Sequence, residues 1–245
     1  MTGRSVLAGR AAVFAHRMRW DSRVRNEPVA RATRQLLGEA ADEAVVLDIG
    51  SGALGLRTFL PEYTTIGADI EYPTPAARPF VVADIAALPI RSRAVDVVTA
   101  VDVLEYLSVD ARERAVRELV RVAKRGVVAA FPHGEIGRAF DKEHKASLDA
   151  RSLPAPDWLG AHLAQRYPTV TEISTAANAE ATGRTVSVSA SYTEPVRWGR
   201  WPRRAATRSR LLFLTVSLAL GAVANVIGTG NEDDSYRALV IIALS

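Results

Sequence analysis

Val45-Val46-Leu47-Asp48-Ile49-Gly50-Ser51-Gly52-Ala53-Leu54-Gly55 joins an apolar run, with an acid near its end, to three closely spaced glycines. The run reads as a buried strand, and the glycines as a tight turn that opens a helix. Gly50 lets the chain turn sharply, Gly52 lets a ligand approach the backbone, and Gly55 lets helix pack on strand. Backbone N–H groups gathered at such a turn hold the polar parts of nucleotides. The stretch predicts an α/β sheet with a site for a nucleotide-like cofactor.

Taken literally, Gly50-x-Gly52-x-x-Gly55 is the dinucleotide fingerprint, with Asp69 near the place of a ribose-binding acid. Three features point elsewhere. Asp48 lies two residues before the first glycine, where it can accept hydrogen bonds from loop N–H groups or a cationic ligand. Residues 65–69 read as a second strand ending in a carboxylate suited to a ribose diol. Residues 80–89 read as a third strand followed by Asp84, which can accept a hydrogen bond from an adenine amino group.

These segments resemble the class I S-adenosylmethionine-dependent methyltransferases, particularly the branch with a D-x-G-x-G loop and a downstream D-x-x-x-L-P. The resemblance continues through residues 95–107, where Leu104-Glu105-Tyr106 stands in place of the family's L-E-H, and through a fifth strand at 126–133. It covers residues 41–135. It departs at Leu54, where the family's third glycine usually falls, and at Tyr106, which replaces histidine.

The resemblance implies a Rossmann-like, doubly wound, mostly parallel seven-stranded sheet with an antiparallel last strand, and S-adenosyl-L-methionine as cofactor. Asp48, Gly50, Ser51 and Gly52 would then surround the methionine part, Asp69 with Ile70 the ribose, and Asp84 with Ile85 the adenine. Asp102 and Val103 would border the sulfonium and the acceptor pocket. The implied activity is methyl transfer to a small-molecule acceptor or one linked to lipid or sugar. A non-catalytic S-adenosylmethionine-binding protein at a membrane surface is the alternative. An NAD-dependent oxidoreductase is a third reading, but no Tyr-x-x-x-Lys pair is present.

An acceptor that must lose a proton needs a base. His133 is the first candidate, because it follows the fifth strand on the edge where ligands collect in open α/β sheets; Tyr106 is the second. Each residue also has a plainer role: Asp48 can cap the loop, Asp84 a local turn, and a lone histidine can serve structure alone.

The 245 residues suit one α/β domain, and 48% hydrophobic with 24% charged residues is the balance of a folded chain. The absence of cysteine excludes disulfides, thiolate metal sites and cysteine nucleophiles. Four histidines without metal-type clustering give no expectation of a metal. Net charge is +4, with arginines concentrated over residues 4–25 and 197–210. Such segments attract the phosphates of nucleic acid or anionic lipid, although a solvated face is the plainer reading of the first. No RNA-binding signature accompanies them, so no nucleic-acid partner is expected. The first twenty residues lack a continuous apolar core, so no cleaved signal is expected and the cytoplasm is the default location.

Along this single domain, residues 1–40 read as an N-terminal helical arm, with a helix that begins around Pro28 and ends at Gly38. Residues 41–177 read as the cofactor-binding core, 178–235 as an insertion or cap, and 236–245 as the last strand. Residues 110–124 give the clearest crossover helix, 158–165 a further helix, and 169–175 a sixth strand that pairs with the last. Residues 211–227 carry no charge and follow Arg203, Arg204, Arg208 and Arg210. A bilayer span needs roughly 20 apolar residues, and crossing would strand the last β-segment on the wrong side. A helix over the core or in a substrate cap is therefore preferred. A helix in the lipid interface, beside Trp198 and Trp201, comes next, and a span last. Peripheral contact of residues 197–228 with the inner face of a membrane is the matching partner expectation.

Overall fold

The computed structural model describes residues 13, 16–38, 43–73, 79–180 and 183–245, so the first part of the expected N-terminal arm lies outside the described residues. The apolar run Val45–Ile49 forms β1, buried almost throughout. Thr64–Asp69 (β2), Phe80–Val82 (β3), Val95–Val101 (β4) and Ala123–Pro132 (β5) lie parallel to it in the order β3-β2-β1-β4-β5. Beyond β5, Ser235–Leu244 (β8) runs antiparallel between β5 and Val186–Pro195 (β6), and the two-residue Thr229–Gly230 (β7) extends the edge. This is the expected mostly parallel sheet with an antiparallel last strand, enlarged by one short strand.

Helices cover both faces. Trp20–Leu37 (α1) packs on one face with Val29, Ala30 and Leu37 buried against β1, β4 and β5. Val109–Val122 (α2) covers the other face, burying Ala115, Val116, Leu119 and Val120 at helical spacing. Ser108 caps its start by accepting the Ala111 N–H. Gly134–Asp149 (α3), Asp157–Ala164 (α4) and Val170–Glu180 (α5) follow β5, and Val196–Ala206 (α6), Arg210–Ala222 (α7) and Ala224–Ile227 (α8) connect β6 to β8.

Several sequence expectations are corrected. No long helix follows the glycine turn; a three-residue 3-10 turn, Leu56–Thr58, stands there, and Pro61 follows before β2 begins. The helix that contains Pro28 starts at Trp20 rather than near that proline. Proline deprives the helix of one hydrogen bond, but buried Trp20 and Val24 anchor the turns before it. Residues 169–175 are not a strand. Thr171 and Thr175 suggest one locally, yet Ile173, Ala176 and Ala177 bury one helical stripe, and α5 packs beside α2. The true partner of β8 is β6, where Val186, Val188 and Tyr192 pack on the core while serines alternate with them. The helical excursion before β8 consequently spans 196–234. Its apolar stretch breaks at Val223 into α7 and α8. Among the described residues no helix is long and apolar enough to cross a membrane.

Candidate active site

The strand order places the tips of β1 and β4 side by side where the sheet reverses its direction of winding, the position at which open α/β sheets bind ligands. Gly50 and Asp102 are the residues just beyond those tips. Gly50 has φ +69°, and a Cβ there would strike Val103, so this close crossing requires glycine. Gly52 has φ +53° with nothing within 4 Å of where a Cβ would sit, which leaves the loop's outer side open to a ligand.

Asp48 turns inward. It accepts hydrogen bonds from the Leu56 N–H at 2.7 Å and the Thr99 hydroxyl at 2.9 Å. Burial pushes its carboxyl up to about 6, against the lowering effect of those bonds. Gly55 also differs from its expected role: a Cβ there would press on the Asp48 carboxylate rather than on a packed helix. Asp48 therefore pins the turn from beneath.

Asp69 sits at the tip of β2 and faces the turn. Its carboxylate accepts the Gly52 N–H at 3.2 Å and the Ile70 N–H at 2.8 Å. Ile70 stands 69% exposed beside it. Asp84, two residues past β3, is exposed and accepts the Ala86 N–H at 2.8 Å in a local turn, while Ile85 is buried in the core. Ser51 is half-buried on the turn. Asp69, Asp84 and Asp102 thus stand at or just past the ends of three strands on one edge of the sheet, and the open outer side of Gly52 beside the Asp69 carboxylate is the part of that edge that would face an adenosyl ligand. Asp48 supports that turn from within.

Asp102 carries φ +54°, a strained conformation for a residue with a side chain. Two arginines hold it: Arg25 from α1 at 3.0 Å, and Arg237 from β8 in a second ion pair. Arg237 also donates to buried Glu194 at 2.8 Å. Burial pushes the Glu194 carboxyl up to about 7, against the charges of Arg203 and Arg25.

A cavity of about 540 Å³ opens from Gly50 and Asp102, within the range of small-molecule sites. Trp20, Trp158, Phe213 and Tyr236 give it an aromatic lining, and Arg25, Arg203 and Arg237 enter it already paired with carboxylates. His162 of α4 lies in its wall between two acids. Its Nδ1 is 3.3 Å from Asp141, and its Nε2 is 3.5 Å from Glu105. Asp141 is wholly buried and also accepts from Tyr167, Tyr236 and Arg203. Burial alone would raise its carboxyl; the His162 hydrogen bond, the Arg203 charge and the Tyr167 hydroxyl outweigh that and hold it low. Glu105 has no such support. Both of its oxygens lack a hydrogen-bond partner among the described residues, and burial pushes its carboxyl up to about 8.

The two expected bases fare differently. Tyr106 lines the cavity with its ring against His162, but burial pushes its hydroxyl up to about 12, so it stays protonated at neutral pH. His133 is buried beside Tyr192 and does not line this cavity; burial lowers its ring. Sequence reasoning missed Arg25, Asp141, His162 and Arg237. Only the sheet and its excursions bring them together, and no local motif marks them. Among the described residues no cluster of metal-ligating side chains occurs.

A family model described as a methyltransferase domain matches residues 47–131, from β1 to the end of β5. None of the curated proteins matches the chain. Solved structures similar in fold include one named as a methyltransferase of an antibiotic biosynthesis pathway from Anabaena variabilis, with TM-score 0.55 and 15% identity over 89% of this chain and 98% of the other. A Thermotoga maritima S-adenosylmethionine-dependent methyltransferase, named as a candidate histamine N-methyltransferase, gives 0.54 and 16% over 98% and 96%. The YcgJ protein of Bacillus subtilis gives 0.53 and 18% over 89% and 98%. At such identities the likeness is one of fold.

Proposed function

We propose that the chain is a class I S-adenosylmethionine-dependent methyltransferase whose acceptor is a small organic molecule, free or carried on a lipid or sugar, lodged in the cavity beyond Gly50. Bound S-adenosylmethionine supplies a methyl group already activated by its sulfonium. The residues of this chain must then orient the acceptor and exclude water, and such positioning can supply much of the rate.

The observation that carries this reading is the shared border: Gly50 and Asp102 belong both to the cofactor-side strand tips and to the cavity wall. The aromatic lining suits a planar or apolar body. The three arginines are paired with carboxylates, so the wall favours a polar acceptor of low net charge over a strongly anionic one. For an acceptor that reacts through a hydroxyl or a protonated amine, His162 is the group placed to take the proton, with Asp141 fixing its ring. The same reading includes a cytoplasmic location with peripheral contact at the inner face of a membrane through residues 197–228. The non-catalytic alternative rests on Tyr106 standing in place of histidine, and the placement of His162 weighs against it.

Incubation with methyl-labelled S-adenosylmethionine and fractionated small-molecule and lipid extracts tests the activity. Label should pass into one fraction, and His162→Gln should lower kcat by about a hundredfold with unchanged S-adenosylhomocysteine affinity. Tight S-adenosylhomocysteine binding without transfer to any fraction would favour the non-catalytic alternative.

A further inference from the structure

Helix α7 is built inside out. Its deeply buried positions are Ser217 and Gly221, which seat it on α1. Ser217 accepts the Trp20 N–H at 3.1 Å and donates to Asp21 at 3.2 Å. Arg23 donates to the Gly221 carbonyl at 2.9 Å, and a Cβ on Gly221 would strike the Met18 carbonyl. The leucines face outward: Leu211 is 73% exposed, with Leu212, Leu214 and Leu218 exposed along the same arc, and Val226 beyond them is 79% exposed. A helix on the surface of a water-soluble domain places these residue types the other way round.

The surroundings say what covers this face. No ionisable side chain occurs from Leu211 to Asn231. Arg208 and Arg210 stand at the helix's leading end and Arg204 on the last turn of α6, all exposed and without an ion-pair partner among the described residues. By contrast, Arg197, Arg200 and Arg203 of the preceding helix are each paired with a carboxylate. Trp201, also on α6, is 61% exposed. Phe213 turns inward from α7 and lines the cavity, with the Arg19 guanidinium 5.2 Å from its ring centre.

We infer that the outer face of α7 docks on an anionic lipid bilayer, with its leucines among the acyl chains and Arg204, Arg208 and Arg210 at the lipid phosphates. Apolar side chains edged by basic residues and a tryptophan suit the boundary between headgroups and chains. The charge pattern selects a bilayer over a second copy of the chain. A two-fold contact through this face would bring three unpaired cations toward three more, whereas anionic headgroups neutralise them. Because Phe213 links the docked helix to the cavity wall, an acceptor carried in lipid reaches the cavity along α7. The inference rests on the peripheral-contact part of the reading above and is independent of the transfer chemistry.

Flotation of the full chain with vesicles tests it, using phosphatidylcholine alone and phosphatidylcholine with roughly a quarter phosphatidylglycerol. Binding to the anionic vesicles should exceed binding to the neutral ones by about tenfold or more. The combined change Leu211→Asn, Leu214→Asn and Leu218→Asn should remove at least about nine-tenths of it, as should Arg204→Glu with Arg208→Glu and Arg210→Glu. Leu218→Asn alone, at an exposed position, gives a milder variant should the triple change disturb folding, and it should weaken binding severalfold. S-adenosylhomocysteine affinity, measured on each variant, should stay unchanged. Failure of the parent chain to bind that ligand would count against the methyltransferase reading and leave the vesicle result standing. Equal binding to both vesicle types, full binding by the leucine variants, or a dimer dissolved by Leu218→Asn without vesicle binding would overturn the inference.

Discussion

Asp48 and Asp69 end neighbouring strands, and burial divides their work. Asp48 spends both oxygens on Leu56 and Thr99, whereas Asp69 reaches the Gly52 N–H from the open side of the turn. Asp69→Ala should therefore weaken S-adenosylhomocysteine binding ten- to hundredfold, about 1.5 to 3 kcal/mol for a hydrogen bond to a charged group, with little change in melting temperature. Unchanged affinity by calorimetry would remove Asp69 from the site. Glu105 gives a pH test. Its carboxyl is raised from near 4.5 to about 8, so the native state keeps a proton that the unfolded chain loses. Stability is then highest below the unfolded value and falls as pH rises toward 8, by on the order of a few kcal/mol. Glu105→Gln should flatten that decline in thermal melts between pH 5 and 8; an equally steep decline would show that other groups cause it. The place of Asp69 at a strand tip was legible in the sequence because its strand and the glycine turn are local. The orphaned state of Glu105 was not, because it depends on what packs around it.

At the scale of elements, Arg112 ties the site loop to the helices behind it. From α2 it donates to the carbonyls of Leu104, Leu107 and Arg166 and pairs with Glu172 of α5 at 2.8 Å. Arg112→Met should cost about 3 to 5 kcal/mol in urea unfolding, since it leaves buried carbonyls and a carboxylate without their cation. A loss below about 1 kcal/mol would mean that water replaces those bonds. The crossover helix α2 was readable from its apolar period alone. The misreading of α5 as a strand has the opposite cause, since its threonines carry local β preference while contact with α2 decides the outcome. The break at Val223 was equally hidden, because it follows from how α7 and α8 seat against α1.

At the scale of the molecule, the parallel half of the sheet announces itself through contiguous apolar runs, while the cavity is assembled from distant pieces. Arg25, Asp102, His162 and Arg237 come from α1, the residue just past β4, α4 and the last strand. Residues so far apart meet only when β8 inserts between β5 and β6, and nothing in their local sequence records that meeting. The strand tips were therefore legible and the cavity wall was not. Binding selectivity at the strand tips is the point on which both sides depend. Calorimetric titration of the full chain with S-adenosylhomocysteine and, separately, with NAD tests it most directly. One equivalent of S-adenosylhomocysteine should bind with roughly micromolar or tighter Kd, with no heat from NAD. Binding of NAD with none of S-adenosylhomocysteine would contradict it.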